Sequence, residues 1–232
     1  MNIFYIPEVE KDAVQIELPL EESKHACKVM RMKEGDQLTI MDGKGSHFLA
    51  EIQEANPKKC IVKVLEHSFE EGSSKEVHIA IAPTKNMDRL EWFVEKSTEL
   101  GIDEISLLIS KNSERTKVKM ERLEKIVIAA SKQSQRRYLP RLNPPIKMQD
   151  FVTHYKYGAI AHCYNGNKMH LKNNFQSTNY PILIGPEGDF TEKEVSFALK
   201  SGYDPVTLGK TRLRTETAGL LCCILAKTIL ER

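Results

Sequence analysis

Two short segments toward the C-terminal end hold the residue types that could carry chemistry. They are Ile-Gly-Pro-Glu-Gly-Asp-Phe at 184–190 and Leu-Gly-Lys-Thr-Arg-Leu-Arg-Thr-Glu-Thr-Ala at 208–218. Each follows an apolar run with strand character, 181–184 and 205–208, and each leads into a run with helical character. In open α/β sheets, ligands bind where strand ends turn into loops and helices. Gly185 and Gly188 let backbone approach a ligand closely or take positive φ. Thr191 and Glu194 fit a capping box, which starts a helix just after the first loop. Gly209, Arg212, Arg214 and Glu216 put backbone and charge beside the second. A segment serving only as core rarely sets two arginines and a glutamate between a strand and an apolar helix. A fixed cation such as Arg214 can stabilise developing negative charge, or simply pair with Glu187 or Glu216. Glu187, Asp189 and Glu216 are candidate proton acceptors by location alone.

A Gly-x-x-Gly loop by itself is also an ordinary structural turn. The chain has no G-x-x-x-x-G-K-[ST] and no G-x-G-x-x-G after a strand. A P-loop NTPase and a dinucleotide fold are therefore unsupported. Basic side chains gather elsewhere: Arg115, Lys117, Lys119, Arg122 and Lys125, then Lys132, Arg136 and Arg137. Some form the solvated face of a helix. The stretch 131–138 mixes amide, guanidinium and aromatic groups without an acid, which suits phosphate contacts and base stacking. Arg31 and Lys33 could also touch a phosphate backbone.

The elements that must position these groups fall into two stretches. Residues 1 to about 70 read as a small β-rich unit. A strand at 37–41 runs into the Asp42-Gly43-Lys44-Gly45 hairpin signal, and strands follow near 47–52 and 60–65. The polar run 70–74 is a plausible linker. From 77 onward, strands near 77–82, 105–109, 157–161, 181–184 and 205–208 alternate with helices. The helices are expected at 88–100, 117–137, 191–201 and 215–231. This alternation implies a parallel sheet covered on both faces.

The 232-residue length admits one large or two small domains. A net charge of +2 gives no global argument for nucleic acid, so any basic surface must be local. No apolar stretch is long enough to span a bilayer, and the first residues lack a signal-peptide pattern, so the chain reads as cytoplasmic. Five cysteines, an odd number with no C-x-x-C, argue against a disulfide framework and a zinc ribbon. Cys222 and Cys223 read as core residues, and no metal site is expected.

The motifs together resemble the RsmE family, ribosomal RNA uracil-N3 methyltransferases of the SPOUT class. The likeness covers almost the whole chain in order: His25, Arg31 and Gly35; Asp42-Gly43-x-Gly45; Lys96, Glu99, Leu100 and Gly101; Ser113-Glu114-Arg115; Gln133, Ser134, Arg136 and Pro140; Gly185-Pro186-Glu187-Gly188; and Leu208-Gly209 with Leu213 to Ala218. The family pattern has a glycine after Gly-Pro-Glu-Gly, where Asp189 stands here.

The resemblance implies an α/β fold: a SPOUT-type parallel sheet with a C-terminal trefoil knot at 73–232, preceded by a PUA-like β-barrel that binds RNA at 1–72. It implies S-adenosyl-L-methionine against Ile184, Gly185, Pro186, Glu187, Gly188, Leu208, Gly209, Leu213, Arg214 and Thr217. Arg214, Glu216 and Glu187 are the expected catalytic residues, and Arg31, Arg115, Arg136 and Arg137 the expected RNA contacts. The implied partners are 16S rRNA in the small ribosomal subunit and a second copy in a homodimer. A non-catalytic RNA-binding or assembly factor of the same fold, or an enzyme acting on a ribose 2′-oxygen, are the alternatives.

Overall fold

The structure is a computed structural model and describes residues 2–175 and 180–230. The last position of the helix expected over 215–231 lies outside the described residues. The chain divides into two compact units, Met1–Gly72 with Ser131–Leu139, and Ser73–Ala130 with Pro140–Arg232. The segment Ser131–Leu139 thus joins the first unit, which the single sequence boundary at residue 72 does not foresee.

The first unit contains β1 (Ile3–Tyr5), β2 (Gln15–Glu17), α1 (Leu20–Lys24), a π-helical turn at His25–Val29, β3 (Gln37–Met41), β4 (Ser46–Glu54) and β5 (Ile61–Phe69). They form one five-stranded sheet in the order β1-β3-β4-β5-β2, antiparallel except for β1 on β3. β4 alternates, so Ser46, Phe48, Ala50 and Ile52 face inward. Its register with β5 shifts after Leu49 and after Ile52, and such irregularities curl a sheet. The curled sheet closes on Phe4, Leu38, Ile40, Phe48, Ile52 and Val62.

The 42–45 turn is set by Asp42, whose Oδ1 accepts from Lys44 N (2.7 Å) and Ser46 N (2.9 Å). Gly45 sits at φ +111°, and a Cβ there would meet the Glu70 carbonyl at 2.6 Å. The 131–139 segment bonds to this turn through Gly45 N to Arg137 O (3.1 Å) and Leu139 N to Gly43 O (3.1 Å).

The second unit contains β6 (His78–Ile81), α2 (Met87–Glu99), β7 (Glu104–Ile109), α3 (Met120–Gln133, whose last three residues belong to the first unit), β8 (Arg141–Lys147), α4 (Met148–His154), β9 (Gly158–Ala161), β10 (Met169–His170), α5 (Leu171–Asn174), β11 (Ile182–Ile184), α6 (Glu192–Lys200), β12 (Tyr203–Thr207) and α7 (Thr215–Leu230). Its seven-stranded sheet runs β10-β12-β9-β11-β6-β7-β8, all parallel. β6 and β11 are buried along their whole length, as strands covered on both faces must be.

Several expectations shift here. α2 is capped by Asn86, whose side chain accepts from Asp88 N, so it starts one residue before the expected 88. It stops at Gly101, which sits at φ +87°. α3 ends before Arg137, because Gln135 turns left-handed (φ +58°) as the chain leaves to join the 42–45 turn. β8 was not foreseen, since Pro144 and Pro145 argue against a strand; it lies at the sheet edge, where proline is tolerated. On α7, a Cβ at Gly219 would meet Phe93 at 2.8 Å and Ile81 at 2.9 Å. The glycine therefore lets α7 lie directly on α2 and β6. Cys222 and Cys223 are core residues, both fully buried.

At the opposite end of the strands from the loops described below, His78 is 5% exposed. Its Nε2 lies 2.8 Å from Ser106 Oγ. Glu104 accepts from Arg141 (2.7 Å), Asn143 (2.6 Å) and the Tyr155 hydroxyl (3.3 Å). Burial pushes the His78 pKa down to about 4, against the attraction of Glu104. Between about pH 6.5 and 4 the unfolded chain binds a proton at this position that the folded chain refuses. The stability from neutral His78 is therefore full above pH 6.5 and is lost as pH falls to 4, by up to about 3 kcal/mol. Urea unfolding at several pH values should show this decline in the native protein and a flatter one in His78→Gln.

Candidate functional site

β12, β9 and β11 are neighbours in a parallel sheet, so their C-terminal ends share one edge. The three loops that leave them, at 161–168, 184–189 and 206–214, line one cavity of about 540 Å3. This size and position are those of a small-molecule site.

The first wall is built tightly. Gly185 and Pro186 are buried, while Glu187 and Gly188 are exposed. A Cβ on Gly185 would press on Phe190 N at 3.1 Å. The Thr215 hydroxyl donates to the Gly185 carbonyl at 3.0 Å. Asp189 N closes a turn onto Pro186 O at 2.9 Å. Asp189 itself sits at φ +62°, a region that favours glycine. Its carboxylate accepts from Phe190 N and Cys163 N, both at 2.7 Å. Asn112 holds the same turn from outside, donating to Gly188 O (3.2 Å) and Asp189 O (3.0 Å). The capping box read from the sequence is present: Thr191 Oγ1 accepts from Glu194 N, and Glu194 accepts from Thr191 N.

The second wall turns at Gly209, at φ +132°, with Thr207 Oγ1 bonded within the same turn. Lys210, Arg212 and Arg214 bring cations to it. The third wall, from 161 to 168, was not foreseen as part of the site. Lys168 Nζ donates to the carbonyls of His162 (2.8 Å) and Tyr164 (2.7 Å) and folds this loop over. His162 lines the cavity, and both its ring nitrogens are buried without a partner among the described residues. Burial, then Lys168, lowers its pKa, so the ring is neutral near pH 7.

Of the residues expected at the cofactor, Ile184, Gly185, Pro186, Glu187, Leu208, Gly209, Leu213 and Arg214 line the cavity. Gly188 and Thr217 do not; Gly188 offers its carbonyl to Asn112, and Thr217 is exposed on α7. Glu216 is also off the wall. It is buried at the start of α7, with Oε1 3.9 Å from Arg89 Nε and Oε2 without a partner among the described residues. Glu187 accepts from Lys85 N at 3.0 Å. Neither carboxylate is paired with Arg214, which is exposed beside the cavity.

The expected RNA contacts differ in their commitments. Arg31 is exposed in the first unit, in a left-handed conformation at φ +56°. Arg137 is spent internally, donating to Ser68 (3.1 Å) and pairing with Glu70 (3.2 Å). Arg136 is half-buried in the same unit. Arg115, in the second unit, donates twice to the Lys85 carbonyl, at 3.2 and 2.8 Å. Among the described residues no cluster could hold a metal ion.

Residues 71–227 match the RNA methyltransferase domain, and 18–65 match the RNA methyltransferase PUA domain. A Bacillus subtilis relative, ribosomal RNA small subunit methyltransferase E, is 31% identical over 217 residues, covering 86% of this chain and 84% of the relative. The structure of a probable rRNA-methyltransferase from Porphyromonas gingivalis has a TM-score of 0.90 at 38% identity, covering 100% of both chains. That of ribosomal RNA small subunit methyltransferase E from Neisseria gonorrhoeae, bound to S-adenosyl methionine, has a TM-score of 0.86 at 28% identity, covering 99% of this chain and 98% of that one.

The Asp189 turn separates strain from bonding. Asp189→Ala keeps the left-handed backbone and loses both carboxylate bonds, so it should cost about 1–2 kcal/mol. Asp189→Gly loses the bonds but relieves the strain, and should cost less. Chemical denaturation of the two variants checks the order; an Ala variant as stable as the Gly variant would refute it.

Proposed function

The chain belongs to the RNA methyltransferase family, and from that premise we propose that it methylates N3 of a uridine in 16S rRNA of the small ribosomal subunit, using S-adenosylmethionine. The cavity bounded by the three loops carries this reading. The cofactor fits the residues present. The volume is in the range for such ligands, and the partnerless His162 ring offers a donor and an acceptor to a polar ligand. Backbone of Ile184 to Pro186 and of Leu208 to Leu213 would hold it.

S-adenosylmethionine supplies an activated methyl group when bound, so the protein chiefly positions and stabilises. Uracil N3 is a poor nucleophile while it keeps its proton. Once that proton leaves, negative charge spreads onto O2 and O4. Arg214, which lines the cavity, is the cation we assign to meet it. Among the three carboxylates, Asp189 already accepts two backbone N–H groups, and Glu187 accepts one. N3 normally faces a pairing partner, so the uridine must be splayed out of its stack. Arg31, exposed in the first unit, is the arginine we assign to RNA. Arg115 and Arg137 serve as struts, since both donate to backbone carbonyls.

The order β12-β9-β11-β6 supports the trefoil knot that the family resemblance implies. No helix among the described residues is long and apolar enough to cross a membrane, which is consistent with work on ribosomes in the cytoplasm. α7 is apolar on more than its buried face: Ile224 is 41% exposed, while Cys222, Cys223 and Ala226 point into the core. A helix hydrophobic on several sides belongs in an interior. A second copy of this chain is the occupant that the homodimer reading supplies.

Unmodified small subunits incubated with labelled S-adenosylmethionine should yield N3-methyluridine on nucleoside analysis. A 2′-O-methyl product would overturn the target atom, and cofactor binding without transfer would favour a binding factor. Arg214→Ala should cut turnover by about 10²-fold or more while changing cofactor affinity far less; equal losses would sink its role. Ile224→Lys should lower the mass measured by sedimentation to that of a monomer, and an unchanged dimer would place the interface elsewhere.

A further inference from the structure

All five cysteines are free thiols. Two of them meet in the first unit. Cys60 is fully buried just before β5, and its backbone is held at both ends: its N–H donates to Ser23 Oγ (3.0 Å), and its carbonyl accepts from Leu18 N (2.9 Å). Ser23 lies on α1. Cys27 follows four residues later, one helical turn along the same face. The Ser23 contact therefore brings the Cys27 side chain over Cys60. Cys27 packs against the core cluster that contains Cys60, and it is the neighbouring group that acts on the Cys60 thiol. The pair is unequal: Cys27 is half-buried and Cys60 fully so.

We infer that Cys27 and Cys60 are a modification site, a dithiol that peroxide converts to an intramolecular disulfide. The division of labour follows from access. A small oxidant reaches Cys27 first, and Cys60 can react only through it. Burial, then the neighbouring Cys27, pushes the Cys60 thiol up to about 12, so Cys60 stays protonated and Cys27 is the thiol that meets the oxidant. In the first step the Cys27 sulfur attacks a peroxide oxygen. The O–O bond breaks, the thiol proton leaves with hydroxide as water, and Cys27 becomes a sulfenic acid. In the second, the Cys60 sulfur attacks the Cys27 sulfur. The S–O bond breaks, the S–S bond forms, and the Cys60 proton leaves with the hydroxyl as a second water. Two thiols and one peroxide give one disulfide and two waters.

The sulfurs must close to about 2.05 Å. Cys27 lies on the His25–Val29 turn, and exposed Arg31 follows two residues after that turn. The bond would thus pin a segment assigned to RNA, but its formation does not depend on that assignment.

The test is oxidation of the full-length protein with graded hydrogen peroxide, then alkylation of remaining thiols under denaturing conditions and tryptic mass mapping. Cleavage after Lys24, Lys28, Lys59 and Lys63 releases His25–Lys28 and Cys60–Lys63. The expected result is these two peptides joined and two hydrogens lighter than their sum. Their separately alkylated forms should disappear one for one, and dithiothreitol should restore both. Exposed Cys163 reports that oxidant was present. Cys27 recovered as sulfinic or sulfonic acid with Cys60 still alkylated would overturn the inference. So would both thiols staying alkylatable after Cys163 has reacted. Cys27→Ser should abolish the linked peptide and leave Cys60 fully alkylated; should it not fold, the mapping of the native chain decides alone.

Discussion

The hydrogen bond from the Thr215 hydroxyl to the Gly185 carbonyl joins the two loops on which the rest of the site depends. Gly185 directly follows β11, in the interior of a parallel sheet, and Thr215 begins α7. A buried carbonyl at a strand end must find a donor or pay a desolvation cost of order 1–3 kcal/mol. α7 supplies it only because Gly219 lets the helix lie on Phe93 and Ile81. The contact of α7 with α2 and β6 thus sets where Thr215 sits, and so how the 184–189 and 206–214 loops face each other. The next residue, Glu216, is turned by the same helix toward Arg89 on α2. One packing contact made by a glycine therefore fixes a backbone carbonyl and the direction of a buried carboxylate.

The arginines show how a near-neutral chain distributes its charge. Arg122 pairs with Glu91 at 2.6 Å, and Arg141 is held by Glu76 and Glu104. Arg115 and Arg137 are tied to backbone carbonyls. Each of these cations is neutralised or oriented by its own unit. Arg214 is exposed at the cavity, with its acidic neighbours bonded elsewhere. Exposed pairs contribute little to stability, so pairing Arg214 with Glu187 would add little to the fold. It would also offset the field available to a substrate whose charge develops during transfer.

What the sequence disclosed followed from local rules. The Thr191 capping box and the paired cysteines in α7 rest on short-range patterns, and both are present. The two Gly-containing loops were legible because glycine and charge at strand ends are uncommon in core. The third wall was not. Its contribution is backbone and a neutral histidine, brought in because β9 lies between β11 and β12 in the sheet. Strand order is a long-range property, and no spacing within 161–168 encodes it. β8 was missed for a different reason: its prolines are forbidden in a central strand, and only the sheet edge excuses them. The early end of α3 was hidden too, since its cause is a turn some 90 residues earlier in sequence, at Gly43 and Gly45.

Asp189 shows why a departure from a motif need not loosen a site. Glycine accepts φ +62° at no steric cost. Aspartate is among the few other residues that visit this region, because a short polar side chain can bond locally. Here the bonding reaches further than the turn. One carboxylate oxygen takes Phe190 N, and the other takes Cys163 N in the loop after β9. A glycine would close the same turn but would remove the backbone tie at Cys163, leaving the Tyr164 hydroxyl bond to the Phe190 carbonyl (2.8 Å) in place. The residue that breaks the pattern thus helps couple the wall the motif predicts to the wall it does not.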